Sequence, residues 1–346
     1  MWRFLLVISV ALVLLLCLSM AGTMALGETL PVNEITFVGR RDARVDVYSI
    51  DLRTRLLRNI TNDDAVQAAL AWSRDGQQLA VVAYQENVAQ LYVLDPDGRN
   101  KRQLTFSPHG IYDPAWSPDG QRIAYVQHAA ANLTENNLYV VEPATREVTP
   151  LAVEGGVDEF APTWSLDGRY IAYFTRTSEI TGVVLANADG SNPRIVVRRP
   201  CFIWLTWDRD NKLLYCSLRN VLMRFDPSTD TDEVYYEEEF EPLAWSPVRD
   251  RILVRQWTEN ESYAIFEYAN RTTHRVNFGG GVHTWSPDGQ HIAYSDLRST
   301  NITSGNTLTL QTDSYVFIAP VDGSGREERL LDFPAWNPQW RPVPAR

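Results

Sequence analysis

The sequence predicts an all-β fold, a seven-bladed β-propeller, from three observations. A turn of the type Trp-Ser-Pro-Asp-Gly recurs along the 346-residue chain. Its Trp residues are on average about 44 residues apart, and a period near 40–45 residues is typical of propeller blades. Aromatic residues make up 11% of the chain, a content that favours short strands over helices.

Two copies of the repeat match closely over ten residues. Residues 116–125 and 285–294 share Trp-Ser-Pro-Asp-Gly-Gln-x-Ile-Ala-Tyr. The weaker and degenerate copies begin at Trp72, Trp164, Trp207 and Trp245, and a last one begins at Trp336. We expect these Trp side chains to be core residues, because one aromatic residue in each blade is a packing signature.

Each repeat is predicted to form four strands. One strand ends at the Trp, and Ser-Pro-Asp-Gly turns the chain into a second strand such as Ile123-Ala124-Tyr125. Pro presets φ in this turn, Asp accepts backbone hydrogen bonds, and Gly takes the left-handed conformation. Leu138–Val141 is a third strand, and a basic and apolar strand such as 102–105 is a fourth. Each Asp-Gly is therefore predicted to be a hairpin turn, not a calcium loop.

The two ends of the repeat array complete each other. Residues 35–38, 45–50 and 56–61 form second, third and fourth strands without a Trp strand, and residues 334–336 form a Trp strand without a blade. Pairing the C-terminal strand with the three N-terminal ones gives seven blades and hides the edge strands. The propeller is predicted to span residues 28–346.

The first 27 residues are predicted to be a targeting segment. Arg3 is followed by an uncharged, largely apolar stretch up to Glu28. This pattern is typical of a secretory signal peptide, and it is also long enough for an uncleaved membrane anchor. In either case the propeller is exported, to the periplasm or the cell exterior, and is secreted or tethered to the membrane only through this segment.

The repeat resembles the WD-like propeller repeat of the TolB family, which is also found in propeller domains of prolyl oligopeptidase relatives. The resemblance rests on the Trp-Ser-Pro-Asp-Gly-x-x-Ile-Ala-Tyr copies and covers residues 34–342. It implies a protein of the bacterial cell envelope whose propeller binds a protein or peptide partner.

Composition and motifs restrict the chemistry. The net charge of −11 argues against nucleic-acid binding, which needs clustered Lys and Arg. The chain contains no Gly-x-Ser-x-Gly, His-Glu-x-x-His, Cys-x-x-Cys or phosphate-loop motif, so no catalytic residue, metal site or cofactor is predicted. Cys201 and Cys216 are predicted to lie too far apart on a hairpin for a bridge and to be free buried thiols.

Acidic residues lead into the Trp strands, where the fold would gather them around the central channel. Carboxylates converging there would focus a negative potential that attracts a basic peptide or a cation; a plain solvated acidic rim is the alternative. Two histidines precede Trp strands in the same way. The candidate partner contacts are Asp63, Asp64, His109, Asp113, Asp158, Glu159, Glu239, Glu241, His283 and Asp332.

An insertion in the last full repeat is a second candidate contact. Between Ser299 and Thr312, nine of fourteen residues are Ser, Thr or Asn. We expect a long loop on the same face as the acidic residues, either a contact surface or a disordered segment.

The sequence thus favours an exported, non-catalytic scaffold that binds a partner. One alternative is a polysaccharide lyase or hydrolase, which would need His, Arg and carboxylate side chains to converge in the channel. Another is an accessory subunit of a separate catalytic protein.

Overall fold

The computed structural model describes residues 33–343, apart from 130–134, 154–155, 199, 201–204, 218–220, 249, 257–261, 269, 277–280 and 305–306. It also leaves the side chains of residues 237–242 and 299–311 undescribed. The predicted targeting segment, residues 1–27, lies outside the described residues. The described part of the chain contains no helix that could span a membrane.

Seven blades form a ring, as predicted, and the described regular elements are strands. The first blade consists of β1 (Glu34–Arg41), β2 (Arg44–Asp51), β3 (Leu57–Asn59) and the C-terminal β27 (Ala335–Trp340). The second consists of β4 (Val66–Trp72), β5 (Leu79–Gln85), β6 (Val88–Leu94) and β7 (Arg102–Gln103). The third consists of β8 (Ile111–Trp116), β9 (Ile123–His128), β10 (Asn136–Val141) and β11 (Val148–Ala152).

The fourth blade consists of β12 (Asp158–Trp164), β13 (Tyr170–Arg176), β14 (Thr181–Asn187) and β15 (Arg194–Arg198). The fifth and sixth blades share β19 (Thr231–Trp245), so they form one continuous seven-stranded sheet. Their other strands are β16 (Thr206–Trp207), β17 (Leu213–Cys216), β18 (Val221–Asp226), β20 (Arg251–Gln256), β21 (Ser262–Glu267) and β22 (Thr272–Val276). The seventh consists of β23 (His283–Trp285), β24 (His291–Ser304), β25 (Thr307–Pro320) and β26 (Glu328–Arg329).

The Trp strands are the innermost strands of the ring. They contact one another from blade to blade: β4 with β8, β8 with β12, β16 with β19, β19 with β23, and β23 with β27. Between β12 and β16, the indole Nε1 of Trp207 donates a hydrogen bond of 3.4 Å to the carbonyl oxygen of Thr163, and a contact between β27 and β4 closes the circle. These seven strands therefore surround the central opening.

The predicted closure of the ring is confirmed, but its register differs from the prediction. β27 pairs with β1, and Ile35 lies opposite Trp340. In the third blade Ile123 lies opposite Trp116 in the same way. Trp340 is therefore the equivalent of the repeat Trp, and the assignment of that role to Trp336 is wrong.

The core lies between neighbouring blades. Leu91 in the second blade and Ile123 and Tyr125 in the third are at most 1% exposed and share one apolar cluster with Trp116. The indole Nε1 of Trp116 donates a hydrogen bond to the carbonyl oxygen of Ala71, 3.0 Å away in the preceding blade. Each Trp thus packs its own blade against the previous one.

The Ser-Pro-Asp-Gly turns are hairpin turns, as predicted. In the third blade Gly120, with a φ of 69°, donates its N–H to the carbonyl oxygen of Ser117. The Asp119 carboxylate accepts hydrogen bonds from the Ser117 hydroxyl and the Gln121 N–H. Partial burial acts to raise the pKa of Asp119, but these donors outweigh it, so the pKa lies below its ordinary value.

Two expectations are corrected. The insertion 299–312 is not a loop, because its backbone extends β24 and β25 and pairs up to Ser304 and Thr307. Cys216 is disulfide-bonded, so a free thiol is wrong for this residue; Cys201 lies outside the described residues.

Candidate functional site

The candidate partner contacts lie at one end of the ring. Because the strands of a blade alternate in direction, the starts of all seven innermost strands share one end, which we call the acidic face, and the Ser-Pro-Asp-Gly turns share the other. Residues in the links before these strands are Asp63, Asp64, His109 and Asp332, and residues within the strands are Asp113, Asp158, Glu159, Glu239, Glu241 and His283. The side chains of Glu239 and Glu241 are not described.

Asp63 is held by its own blade. Its carboxylate forms an ion pair with Lys101 and accepts a hydrogen bond of 3.0 Å from Gln67 Nε2. These contacts fix the link between the first and second blades, and they neutralise part of the charge that Asp63 brings to the acidic face. Asp64, next to Asp63 in the chain, and Asp332, in the link between β26 and β27, are exposed.

A polar network surrounds the start of β12. The Asp158 carboxylate, 6% exposed, pairs with Arg176 and accepts a hydrogen bond from Asn136 Nδ2. The Oδ1 atom of Asn136 lies 2.7 Å from His128 Nδ1, and the ring of His128 lies 5.1 Å from that of Tyr112. Asp158 thus belongs to a cluster that also contains a histidine and an arginine.

Asp113 adjoins this cluster from the innermost strand. Burial, followed by the charges of Asp113 and Asp158, raises the pKa of the Tyr112 hydroxyl, so both carboxylates lie near that ring. The pairing of β8 with β9 shifts register between Tyr112 and Ala115, and Asp113 has a φ of 49°. Such a bulge redirects a side chain away from the regular sheet. The result is an accessible carboxylate on the innermost strand.

Asp113 is water-accessible and also closely surrounded by protein. Its side chain is exposed, yet desolvation by the neighbouring chain raises the pKa of its carboxyl. Asp113 lies on one of the innermost strands, which surround the central opening. Burial by the neighbouring chain therefore destabilises the charged form of the Asp113 carboxyl.

The two histidines differ. His283, at the start of β23, lies between the rings of Tyr263 and Tyr294, with centroids 5.0 and 5.8 Å away. His109 is half-buried, and its backbone N–H donates to Ser107 Oγ at 3.1 Å. The described residues place neither histidine in a group of three or more metal-binding side chains.

Glu159 lines a cleft that the sequence did not predict. The cleft encloses about 560 Å³ between the third and fourth blades, and its walls include Leu151, Val157, Thr175 and Ile195. Glu159 itself is 4% exposed and lies opposite Thr175 on β13. The lining residues come from separate strands of two blades, so no local sequence pattern could have indicated this cleft.

The opposite end of the opening is crossed by contacts between turns. Arg74, in the turn of the second blade, donates a hydrogen bond of 2.8 Å to the carbonyl oxygen of Leu166 in the fourth. Asp167 in the same turn donates its N–H to Asn211 Oδ1 of the fifth blade at 2.8 Å. The side chain of Arg74 thus reaches past the intervening third blade and narrows this end of the opening.

Comparison with known proteins agrees with this fold. Residues 31–201 match the family model described as PD40, the TolB beta propeller domain. This part of the chain is a TolB-type β-propeller repeat region. The chain is 15% identical to TolB from Acinetobacter baumannii, with a TM-score of 0.55 over 90% of this chain and 83% of that one.

Enzymes share the same architecture. An oligogalacturonate lyase from Vibrio parahaemolyticus is 11% identical, with a TM-score of 0.59 over 87% of this chain and 85% of that one. A puromycin hydrolase is 16% identical, with a TM-score of 0.66 over 88% of this chain and 52% of the hydrolase. At these identities the likeness is one of fold, and this fold occurs in proteins of different functions.

Proposed function

We propose that this TolB-type propeller is an exported, non-catalytic module that binds a basic segment of a protein partner at its acidic face. The observation that carries the proposal is Asp113. It presents a water-accessible carboxylate on an innermost strand, and its raised pKa shows that the protein poorly stabilises its charge. A Lys or Arg side chain beside it would compensate for the lost hydration.

The surroundings of Asp113 support a cationic ligand. The whole chain carries a net charge of −11, and Asp64 and Asp332 are exposed at the same end of the ring. When charges of one sign line an opening with low-dielectric walls, their electrostatic potential is concentrated there. That potential raises the local concentration of oppositely charged ligands. A basic peptide is favoured over a single cation, because the candidate carboxylates are distributed over several blades.

Export is supported by two observations. Cys216 is disulfide-bonded, and disulfides persist mainly in oxidising compartments such as the periplasm. The segment before Glu28 has the pattern of a secretory signal or anchor.

The proposal is tested by titrating Lys- and Arg-rich peptides and Glu-rich peptides of equal length against the protein at low and high salt. We expect tighter binding of the basic peptides and weakening with salt. Asp113→Asn is expected to reduce that affinity roughly fivefold, the effect of about 1 kcal/mol. The matched control is Asp97→Asn, which removes the same charge from an exposed β6–β7 turn at the opposite end. Equal, salt-insensitive affinity for both peptide classes would contradict the proposal.

Polysaccharide cleavage is a second candidate, favoured by the cluster at the start of β12. There Asn136 links His128 to Asp158, and Arg176 pairs with Asp158. This histidine, carboxylate and arginine are the side chains that such chemistry needs. This candidate predicts that a screen of anionic and neutral glycans yields products, and that His128→Ala abolishes their release while basic-peptide affinity is retained. A screen without turnover would remove it.

A further inference from the structure

Two aromatic side chains are exposed where the second blade meets the acidic face. Phe106, in the link between β7 and β8, is 72% exposed, and Tyr84, near the end of β5, is 46% exposed. No other aromatic side chain that the structure describes is exposed. Exposed aromatic residues that gather at one place are typical of a contact surface.

Tyr84 is held in a regular part of the blade. It lies opposite Val66 on β4 and opposite Ala89 on β6. Two residues further on, Glu86 and Asn87 join β5 to β6 with φ angles of 51° and 69°. A two-residue link with two positive φ angles is a tight hairpin turn. Tyr84 is therefore presented by a rigid end of the blade, beside the exposed Glu86.

Phe106 is also held in place, although its ring is exposed. The amide of Gln90, 5% exposed, accepts hydrogen bonds from Thr105 Oγ1 at 2.9 Å and from the Ser107 N–H at 3.1 Å. It donates a third to the carbonyl oxygen of Ser107 at 2.7 Å. Both chain neighbours of Phe106 are thus fixed to β6. A ligand that covers this ring does not have to order the backbone beneath it, a cost that otherwise weakens binding.

The two rings belong to one surface. Ala89 lies opposite Tyr84, and the next residue, Gln90, holds the link that carries Phe106. Neighbouring strands are about 4.8 Å apart, so two strand spacings give roughly 10 Å between the two backbones. One ligand segment can therefore contact both rings.

The exposed charges around the two rings are negative. The segments at this end of the second blade contain acidic residues and no Lys or Arg; they are residues 62–67, 84–90 and 104–110. Asp64 and Glu86 are exposed there, whereas Asp63 pairs with Lys101. Asp113, on the innermost strand of the next blade, is exposed as well. Aromatic faces beside exposed carboxylates favour a cationic ligand over an uncharged apolar one.

The combination of rings and carboxylates favours arginine over lysine. A guanidinium group is planar and weakly hydrated, stacks on aromatic faces and forms paired hydrogen bonds with a carboxylate. The ammonium group of Lys is a compact and strongly hydrated charge. We propose that Tyr84 and Phe106 bind arginine side chains of the basic partner segment, an inference that rests on the proposed function. The partner segment is then rich in Arg, and Lys in its place binds less tightly.

The test titrates two peptides of equal length and charge, one built on Arg and one on Lys, against the full chain at low and high salt. The Arg peptide is expected to bind roughly two- to fivefold more tightly, the range of exposed cation–π contacts. This ratio should persist at high salt, because salt screens the equal charges of both peptides alike.

Tyr84→Leu combined with Phe106→Leu keeps apolar side chains and removes both rings. It is expected to bring the ratio of the two affinities close to one without changing the affinity for the Lys peptide. Phe106→Trp should retain the preference for Arg. The matched control is Leu56→Ala, which alters a half-exposed apolar residue in the link between β2 and β3, at the opposite end of the ring, and should change neither affinity. If the double variant is destabilised, Phe106→Leu alone tests the same point, because this side chain is largely exposed.

Equal affinity for the two basic peptides would overturn this inference, as would a preference for Arg that survives the double variant. In both cases the proposed function stands if Asp113→Asn still weakens both peptides. Tighter binding of an uncharged peptide rich in Leu and Phe would show that an apolar ligand occupies the two rings. If neither basic peptide bound in a salt-dependent manner, the inference and the proposed function would fail together.

Discussion

The indole Nε1 of Trp116 lies 3.0 Å from the carbonyl oxygen of Ala71, so the Trp of one blade is hydrogen-bonded to the innermost strand of the blade before it. Trp164 bonds to Ala115 at 3.1 Å and Trp285 to Ala244 at 3.0 Å in the same manner. The repeat Trp is therefore an inter-blade contact as well as a core residue.

Replacing Trp116 should strongly destabilise the ring. Trp116 is 9% exposed, and Trp116→Ala leaves a cavity between two blades, so we expect a loss of about 3–5 kcal/mol in the free energy of unfolding. Trp116→Phe retains most of the aromatic side-chain volume, so it should lose less stability than Trp116→Ala. Its loss comes mainly from the missing indole hydrogen bond. Urea denaturation followed by circular dichroism measures both, and a loss for Trp116→Ala below about 1 kcal/mol would contradict the packing role.

Removing residues 332–346 should unfold the propeller, because β27 supplies the innermost strand of the first blade. The register adds a sharper expectation. Trp340, 5% exposed and opposite Ile35, should cost more stability on replacement by Ala than the half-buried Trp336. Thermal melts compare the three variants. A truncated chain that melts cooperatively at the parent temperature would exclude closure by β27.

Asp113→Asn should stabilise the protein at neutral pH. The folded state raises the pKa of Asp113 above its ordinary value of 3.8, so ionisation is costlier when folded than when unfolded. The stability linked to Asp113 is present below the unfolded pKa and is lost as the pH rises through the folded pKa. We therefore expect a higher Tm for Asp113→Asn at pH 7 and no difference near pH 3. A variant less stable at pH 7 would show that the carboxylate is well solvated.

Asp119→Ala should show the opposite pH dependence. The pKa of Asp119 is lowered in the folded state, so its contribution is present above the unfolded pKa and is lost as the pH falls through the folded pKa. At pH 7, Asp119→Ala should lower the free energy of unfolding by about 1 kcal/mol, because two hydrogen bonds of the turn disappear. Urea titrations at pH 7 and pH 3 measure this loss of stability. An equal loss at both pH values would contradict the claim that the ionised Asp119 carboxylate accepts these hydrogen bonds.

Reducing the Cys216 disulfide should lower the Tm. Native disulfides contribute typically 2–4 kcal/mol by restricting the unfolded chain. The wild-type protein in reductant and the Cys216→Ser variant should melt at the same lower temperature. A reductant that changes the Tm of Cys216→Ser as much as that of the wild type would contradict this assignment.

The sequence was sufficient to predict the blade count and the closure, because the turn that limits each blade is built from local chemistry. Ser117, Asp119 and Gly120 bond to one another, so the same tetrapeptide recurs wherever that turn forms. The register of the closing strand was predictable in principle. Pro338 precedes Trp340 by two residues, as Pro114 precedes Trp116, and this shared spacing identifies Trp340 as the repeat residue.

Other features depend on how neighbouring strands pair and left weaker signals in the sequence. The bulge that exposes Asp113 is a property of how β8 packs against β9, and an Asp-Pro dipeptide alone does not specify it. The extension of β24 and β25 did leave a signal: Thr307, Leu308, Thr309 and Leu310 alternate polar and apolar residues with the period of a strand. The high content of Ser, Thr and Asn concealed that alternation.

The pairing of β1 with β27 also governs when the protein can fold. Residues 335–340 leave the ribosome after every other described strand, so the first blade lacks its partner throughout synthesis. Until β27 has been synthesised, the nascent chain exposes β1 and the surface that Trp340 will cover. Unpaired strand edges of this kind promote aggregation. A chain threaded through a membrane from its N-terminus would meet the same delay, and an escort that shields β1 during transit would raise the yield of the folded ring.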